Sequence, residues 1–149
     1  MQIELTDEIT KAINNALMGG TPCIVATVGP NYMPNMAYKG SIVTFDKEHL
    51  AFWERSDGET LNALRQSTKV AVLYRNPATR LSWRIYGNAT LHEDGSLRDE
   101  IMKLVPEVEL DRDPERLGVA VLIRVDRVRA GSQTIMQRDG SLQSGGTAG

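Results

Sequence analysis

Cysteine is almost missing from this chain. The single one, Cys23, excludes an internal disulfide and a cysteine-rich zinc site. Histidine is nearly as scarce. His49 and His92 both fall in predicted turns, where a solvated side chain is a simpler reading than a ligand, so no metal site is expected. No apolar run approaches the roughly 20 residues of a membrane-spanning helix, which argues against a membrane partner. There is no surplus of positive charge either. The formal net charge is −2, which argues against a dedicated nucleic-acid binder. The opening MQIELTDEIT is acidic where a secretion signal would be basic, so a cytoplasmic protein is expected. The familiar catalytic signatures are absent too: no G-x-G-x-x-G, no phosphate loop, no H-E-x-x-H and no G-x-S-x-G.

What is present is the composition of one ordinary globular domain. The 149 residues are 41% hydrophobic and 24% charged. A chain of this length buries about 68–70% of its unfolded surface and needs no covalent staple. Charge is unevenly spread. Residues 93–115 carry nine acids and three bases, a local −6 that leaves the remainder at +4. Twelve of the 17 basic residues are arginine, whose planar fork suits anions.

Read along the chain, Thr6-Asp7-Glu8 is an N-cap with first-turn acids, and Ile9, Ala12, Ile13, Ala16 and Leu17 follow at helical spacing. Cys23 to Val28 is a short strand closed by the Gly29-Pro30-Asn31 turn, and Met33 to Phe45 is its return, interrupted at Gly40. Leu50 to Glu54 is a third strand. Short turns make the three antiparallel neighbours. A short helix over residues 59–66 follows, with Ser56 or Asp57 as N-cap. Lys69 to Tyr74 is a strand. Leu81 to Leu91 alternates strictly, with Leu81, Trp83, Ile85, Gly87, Ala89 and Leu91 on one face. Gly95-Ser96 opens an acidic helix that ends at Pro106, and Gly118 to Val128 is the last strand. Cys23 alternates with Val25 and Thr27, which makes it a core residue rather than a nucleophile. The order α-β-β-β-α-β-β-α-β predicts a mainly β, α+β fold: a six-stranded antiparallel barrel with flanking helices. A doubly wound parallel sheet would need a helix between every strand pair. Residues 1–138 make up the domain, and 139–149, rich in Gly and Ser, read as a disordered tail.

These segments, in this order and spacing, resemble the pyridoxamine 5′-phosphate oxidase-like split-barrel flavoproteins. The resemblance rests on Thr21 to Val28, Pro34 to Phe45, Leu50 to Glu54 with Leu61 to Leu64 and Val70 to Leu73, Trp83 to Ala89, and Leu122 to Arg129. It implies a homodimer of split barrels with FMN at the interface and a small-molecule substrate. Tyr38, Lys39, Gly40, Ser41, Ile42 and Val43 fall on the strand beside the flavin. Gly40 would let the backbone approach the ring. Trp53 and Glu54 fall at the strand end facing the ribityl and phosphate. Gly58, Glu59 and Thr60 open the phosphate-binding helix, whose free N–H groups favour an anion. Ser82 falls where the family often has a side chain bonding the ring.

Two departures are visible. Many relatives have Ser-Arg-Lys where this chain has Gly58-Glu59-Thr60, which places Glu54 and Glu59 near an expected phosphate. Lys39, Arg55, Arg75 and Arg84 are the cations that could compensate. Gln137 to Gln143 also lacks the Arg-rich ending of the true vitamin-B6 oxidases. Three functional classes stay open: a flavin-dependent oxidoreductase, a non-enzymatic binder of flavin, deazaflavin or heme, and an interaction barrel with a degenerate pocket. No residue stands out as a catalytic acid or base.

Overall fold

A computed structural model describes residues 2–139. The strands are β1 (Cys23–Val28), β2 (Pro34–Lys39), β3 (Val43–Thr44), β4 (His49–Glu54), β5 (Lys69–Asn76), β6 (Leu81–His92), β7 (Val119–Ala130) and β8 (Gln133–Gln137). The helices are α1 (Asp7–Asn14), α2 (Glu59–Gln66), α3 (Gly95–Leu104) and the short α4 (Glu107–Leu110). Seven strands run in the order β2-β1-β5-β6-β7-β4-β3, and β8 pairs with β7. Every pairing is antiparallel. The sheet curls into a split β-barrel flanked by helices. The proposed Gly/Ser-rich tail lies outside the described residues apart from Asp139.

Local signals explain much of this. The Thr6 hydroxyl accepts from the Ile9 N–H at 3.2 Å and caps α1. Ile9 and Ile13 of α1 are buried in the main core with Val25, Phe52, Val72, Ile85 and Ile123. Each such side chain contributes roughly 1.5–3 kcal/mol by leaving water. The alternation of β6 is realised as read: Trp83, Ile85 and Ala89 are buried and Arg84 and Thr90 exposed. A bulge interrupts the β6–β7 register at Tyr86/Gly87. There a Cβ on Gly87 would lie 2.2 Å from the Arg124 carbonyl oxygen, so only glycine fits.

Three expectations are corrected. Among the described residues the strand count is eight rather than six, because the Met33–Phe45 return is broken in two and Gln133–Gln137 adds a strand that buries Met136 in the core. Its two halves, β2 and β3, do not pair with each other and lie at opposite ends of the sheet. Gly40, Ser41 and Ile42 carry the chain across the seam between those ends. The N-cap of α2 is Gly58. Ser56 instead bonds Glu54, and Asp57 pairs with Arg65 at 2.8 Å.

Candidate functional site

The seam of the barrel is also where the predicted site residues meet. Lys39 ends β2 and Glu54 ends β4, and the Lys39 Nζ lies 2.5 Å from Glu54 Oε2. Glu54 is only 3% exposed. Its other oxygen accepts from the Ser56 hydroxyl at 3.2 Å. The carboxylate expected to oppose a phosphate is thus neutralised inside the chain. Ser41 ties the crossing segment to β4: its hydroxyl donates to the Trp53 carbonyl and accepts from the Trp53 N–H, both at 3.0 Å. These residues, with Tyr38, Gly40, Arg55, Glu109 and Arg112, enclose a small polar cleft of about 110 Å³.

Trp53 forms the rigid wall of the cleft. Its indole N–H donates to Asp113 at 2.8 Å, and the Arg98 guanidinium lies 4.7 Å from its ring centroid. Asp113 also accepts from the Leu117 and Gly118 N–H groups, at 3.0 and 2.8 Å. Burial would raise the Asp113 carboxyl. The donors from Leu117, Trp53 and Gly118, with Arg116 nearby, outweigh it and hold the group below the usual aspartate range. Gly118 completes the wall, since a Cβ there would meet the Trp53 Nε1 at 2.5 Å and the Glu54 carbonyl at 2.7 Å.

The other predicted residues are placed elsewhere. Ile42 and Val43 are buried in two separate apolar clusters, so their side chains face no cleft. The space left by the missing side chain of Gly40 is taken by the Glu109 carboxylate and Leu17. Thr60 is buried at the start of α2. The Asn35 side-chain amide donates to it and to Thr27, both at 3.1 Å. Glu59 is exposed and lines a different groove with Asn35 and Asn62. Ser82 sits opposite Arg75 on the outer face of the sheet, away from the cleft. Sequence reasoning missed Glu109 and Arg112. They belong to the acidic stretch read as a solvated helix, and no local signal says that the stretch folds back over Gly40.

A second feature adjoins the cleft. The outward side chains of β1, β2 and β5 include Ile24, Met36, Tyr38 and Leu73, and Tyr38 and Met36 are 70% and 74% exposed. A groove of about 610 Å³ opens over this face, lined by Ile24, Tyr38, Leu73 and Arg75 among others. Arg84 on β6 and Arg129 on β7 continue the same cross-strand row. Cys23 faces the opposite way. Burial pushes its thiol up to about 12, which removes it from any thiolate chemistry. Among the described residues no cluster of His, Cys, Asp or Glu could hold a metal, and no helix is long and apolar enough to cross a membrane.

The barrel thus has a polar cleft at its seam and a larger apolar groove beside it. A sequence profile of the pyridoxamine 5′-phosphate oxidase family matches residues 9–130, and the chain belongs to that family. No curated protein sequence matches it. Among solved structures, it is similar to HupZ from Group A Streptococcus: 23% identity, TM-score 0.70, covering 91% of this chain and 98% of that one. It is similar also to a protein described as a pyridoxamine 5′-phosphate oxidase of Lactobacillus delbrueckii, at 23% identity and TM-score 0.66, covering 87% and 96%. An FMN-binding protein of Syntrophomonas wolfei shares the fold at 14% identity and TM-score 0.67, covering 85% and 88%.

The fit to FMN is divided between the two ends of that molecule. The groove over Ile24, Tyr38 and Leu73 has the size and apolar lining that a planar ring system requires. The N-terminus of α2 supplies no cation, carries the Glu59 carboxylate, and engages the Thr60 hydroxyl with Asn35.

Proposed function

We propose that this chain is a flavin-binding oxidoreductase that works as a homodimer, with FMN as the cofactor and deazaflavin or heme as the alternatives. The observation that carries the reading is the uncovered apolar groove on β1, β2 and β5, open at the seam of a barrel of this family. An exposed set of Met36, Tyr38 and Leu73 beside Ile24 is the kind of surface that a ligand or a second copy covers. A bound flavin supplies a two-electron acceptor for hydride from a small molecule. The chain's own part is to hold the ring against Ile24, Tyr38 and Leu73 and to exclude water from it.

One observation favours the second reading, a non-enzymatic binder. The buried pair in the cleft, Lys39 and Glu54, is committed to itself, so neither group is free to act as acid or base.

The visible spectrum of the freshly purified protein tests the binding reading. The expected result is the two-band absorption of an oxidised flavin, either as purified or after titration with FMN. Colourless protein that takes up neither FMN, deazaflavin nor heme refutes it. Steady-state reduction by nicotinamide or deazaflavin donors then separates enzyme from binder. Sedimentation tests the dimer: the natural chain should run as a dimer and Tyr38→Glu as a monomer. A natural chain that is monomeric at micromolar concentration removes the dimer.

A further inference from the structure

A groove that the flavin reading leaves unused lies between α1 and the hairpin of β5 and β6. Its volume is about 390 Å³, within the ~300–1,000 Å³ that small-molecule pockets occupy. Its floor is apolar: Ala12 of α1, Tyr74 of β5 and Leu81 of β6. Glu8 and Lys11 stand on the rim. Both are exposed, and neither has an ion-pair partner among the described residues. One acid and one base leave the groove without net charge, which suits a neutral molecule.

Packing does not account for the Tyr74 hydroxyl. The residue is only 3% exposed. Its ring stacks on Trp83, with centroids 5.4 Å and planes 26° apart. A phenylalanine would stack there equally well. A buried tyrosine O–H usually finds a partner. This one bonds no protein group among the described residues. Nor is it sealed in by protein, so its free side opens on the groove that the residue lines. Asn76 adds a second donor. Its side-chain oxygen accepts from the Ala78 N–H at 3.0 Å, which leaves its amide N–H groups without a protein acceptor.

We propose that this groove is a second small-molecule site, for a neutral ring compound whose carbonyl-type oxygen accepts from the Tyr74 hydroxyl. The ring lies on Ala12 and Leu81. The stack on Trp83 holds the donor in place before the ligand arrives, so little order is lost on binding. Thr21 is the one residue that this groove shares with the larger groove over Ile24 and Leu73, so the two ligands are neighbours in separate seats. The assignment goes beyond the flavin reading and does not depend on it.

Acetophenone and toluene test it, since they share a ring and differ by a carbonyl oxygen. Each is titrated into the isotopically labelled natural chain and followed by amide NMR. The expected result is saturable shifts at Ala12, Asn76 and Leu81. Acetophenone should bind about three- to tenfold more tightly than toluene, the worth of one hydrogen bond. Tyr74→Phe should bring acetophenone down to the affinity of toluene and leave toluene unchanged. The lost hydroxyl bonds nothing in the protein, so this variant should keep the natural urea midpoint, which separates lost binding from lost fold. Ala12→Leu fills the floor and should abolish binding of both probes. Ala12 is only partly buried and leucine is a good helix former, so that variant should fold, which its own spectrum verifies. The site is overturned if neither probe shifts these amides, if the two bind alike, or if the preference for acetophenone survives in Tyr74→Phe. It is overturned equally if FMN produces the same shifts and displaces acetophenone, because the groove then belongs to the flavin site. Acetophenone binding here in a protein that takes up no flavin would uphold the groove and refute the flavin reading alone.

Discussion

Replacing Lys39 by methionine should be among the most damaging single changes at the seam. The substitution keeps the volume of the stem and removes the charge that faces Glu54. Glu54 is 3% exposed and would keep only the bonds from the Ser56 hydroxyl and N–H. Breaking a buried pair by removing one partner costs about 3–5 kcal/mol, because the remaining charge is stranded. The Lys39 side chain is 16% exposed, so some water reaches the pair, and the lower end, about 3 kcal/mol, applies. Lys39→Met/Glu54→Gln removes both charges and lets the amide keep the Ser56 contact. Its cost should fall to about 1 kcal/mol, as it does when a buried pair is replaced as a unit. Urea unfolding followed by tryptophan fluorescence, at one fixed protein concentration, reads these values. The single variant should lose about 1–3 M in midpoint, given the usual slopes. A single variant within 1 kcal/mol of the natural chain, or a double variant worse than the single, would show that the pair does not close the barrel.

Other outcomes follow from the walls of the cleft and from the core. Asp113→Asn leaves one oxygen for donors that now use both, since Leu117 bonds Oδ1 and Trp53 and Gly118 bond Oδ2. It should cost about 1–3 kcal/mol by urea unfolding. Because the folded carboxyl of Asp113 is held below its ordinary value, its stabilisation is full above the normal aspartate range and is lost as pH falls through the lowered value. The Asn variant should therefore show a shallower acid loss of stability than the natural chain; equal slopes refute this. Gly118→Ala drives a Cβ into the Trp53 ring edge and the Glu54 carbonyl, and should cost about 1–3 kcal/mol and perturb the tryptophan near-UV signal. Cys23, buried and with its thiol pushed up to about 12, should resist iodoacetamide at mildly alkaline pH until the protein unfolds. Rapid labelling of the native protein would contradict its place in the core.

The sequence made some of this legible for clear physical reasons. The β6 alternation and the Thr6 cap are local signals, and the structure realises both. The break at Gly40 was also visible, but its consequence was not. Whether β2 and β3 remain one strand or separate to opposite ends of the sheet depends on what β4 pairs with, and β4 pairs with β7, some seventy residues later. The same limit applies to the site. Lys39 and Glu54 could be named as cation and carboxylate, but their pairing is a property of barrel closure. Glu109 and Arg112 could not be named, because the acidic composition of residues 93–115 reads as solvated whichever way the segment folds.

That dependence on closure links stability to function in this chain. Lys39 and Glu54 join the two ends of the sheet, Ser41 pins the crossing segment to Trp53, and Asp113 fixes Trp53 in turn. Lys39, Glu54, Ser41 and Trp53 therefore both shape the cleft and hold the seam shut. A ligand that contacts the cleft only in the closed barrel must stabilise the fold in proportion to the logarithm of its concentration over its dissociation constant. At a hundredfold excess over that constant the gain is about 2.7 kcal/mol, comparable to the Lys39–Glu54 pair itself. Saturating ligand should then offset much of the loss in Asp113→Asn, where the cleft cations remain, and less in Lys39→Met, where one of them is gone. Thermal unfolding of both variants with and without FMN measures the difference. Equal rescue of the two would show that Lys39 serves the seam alone and takes no part in holding the ligand.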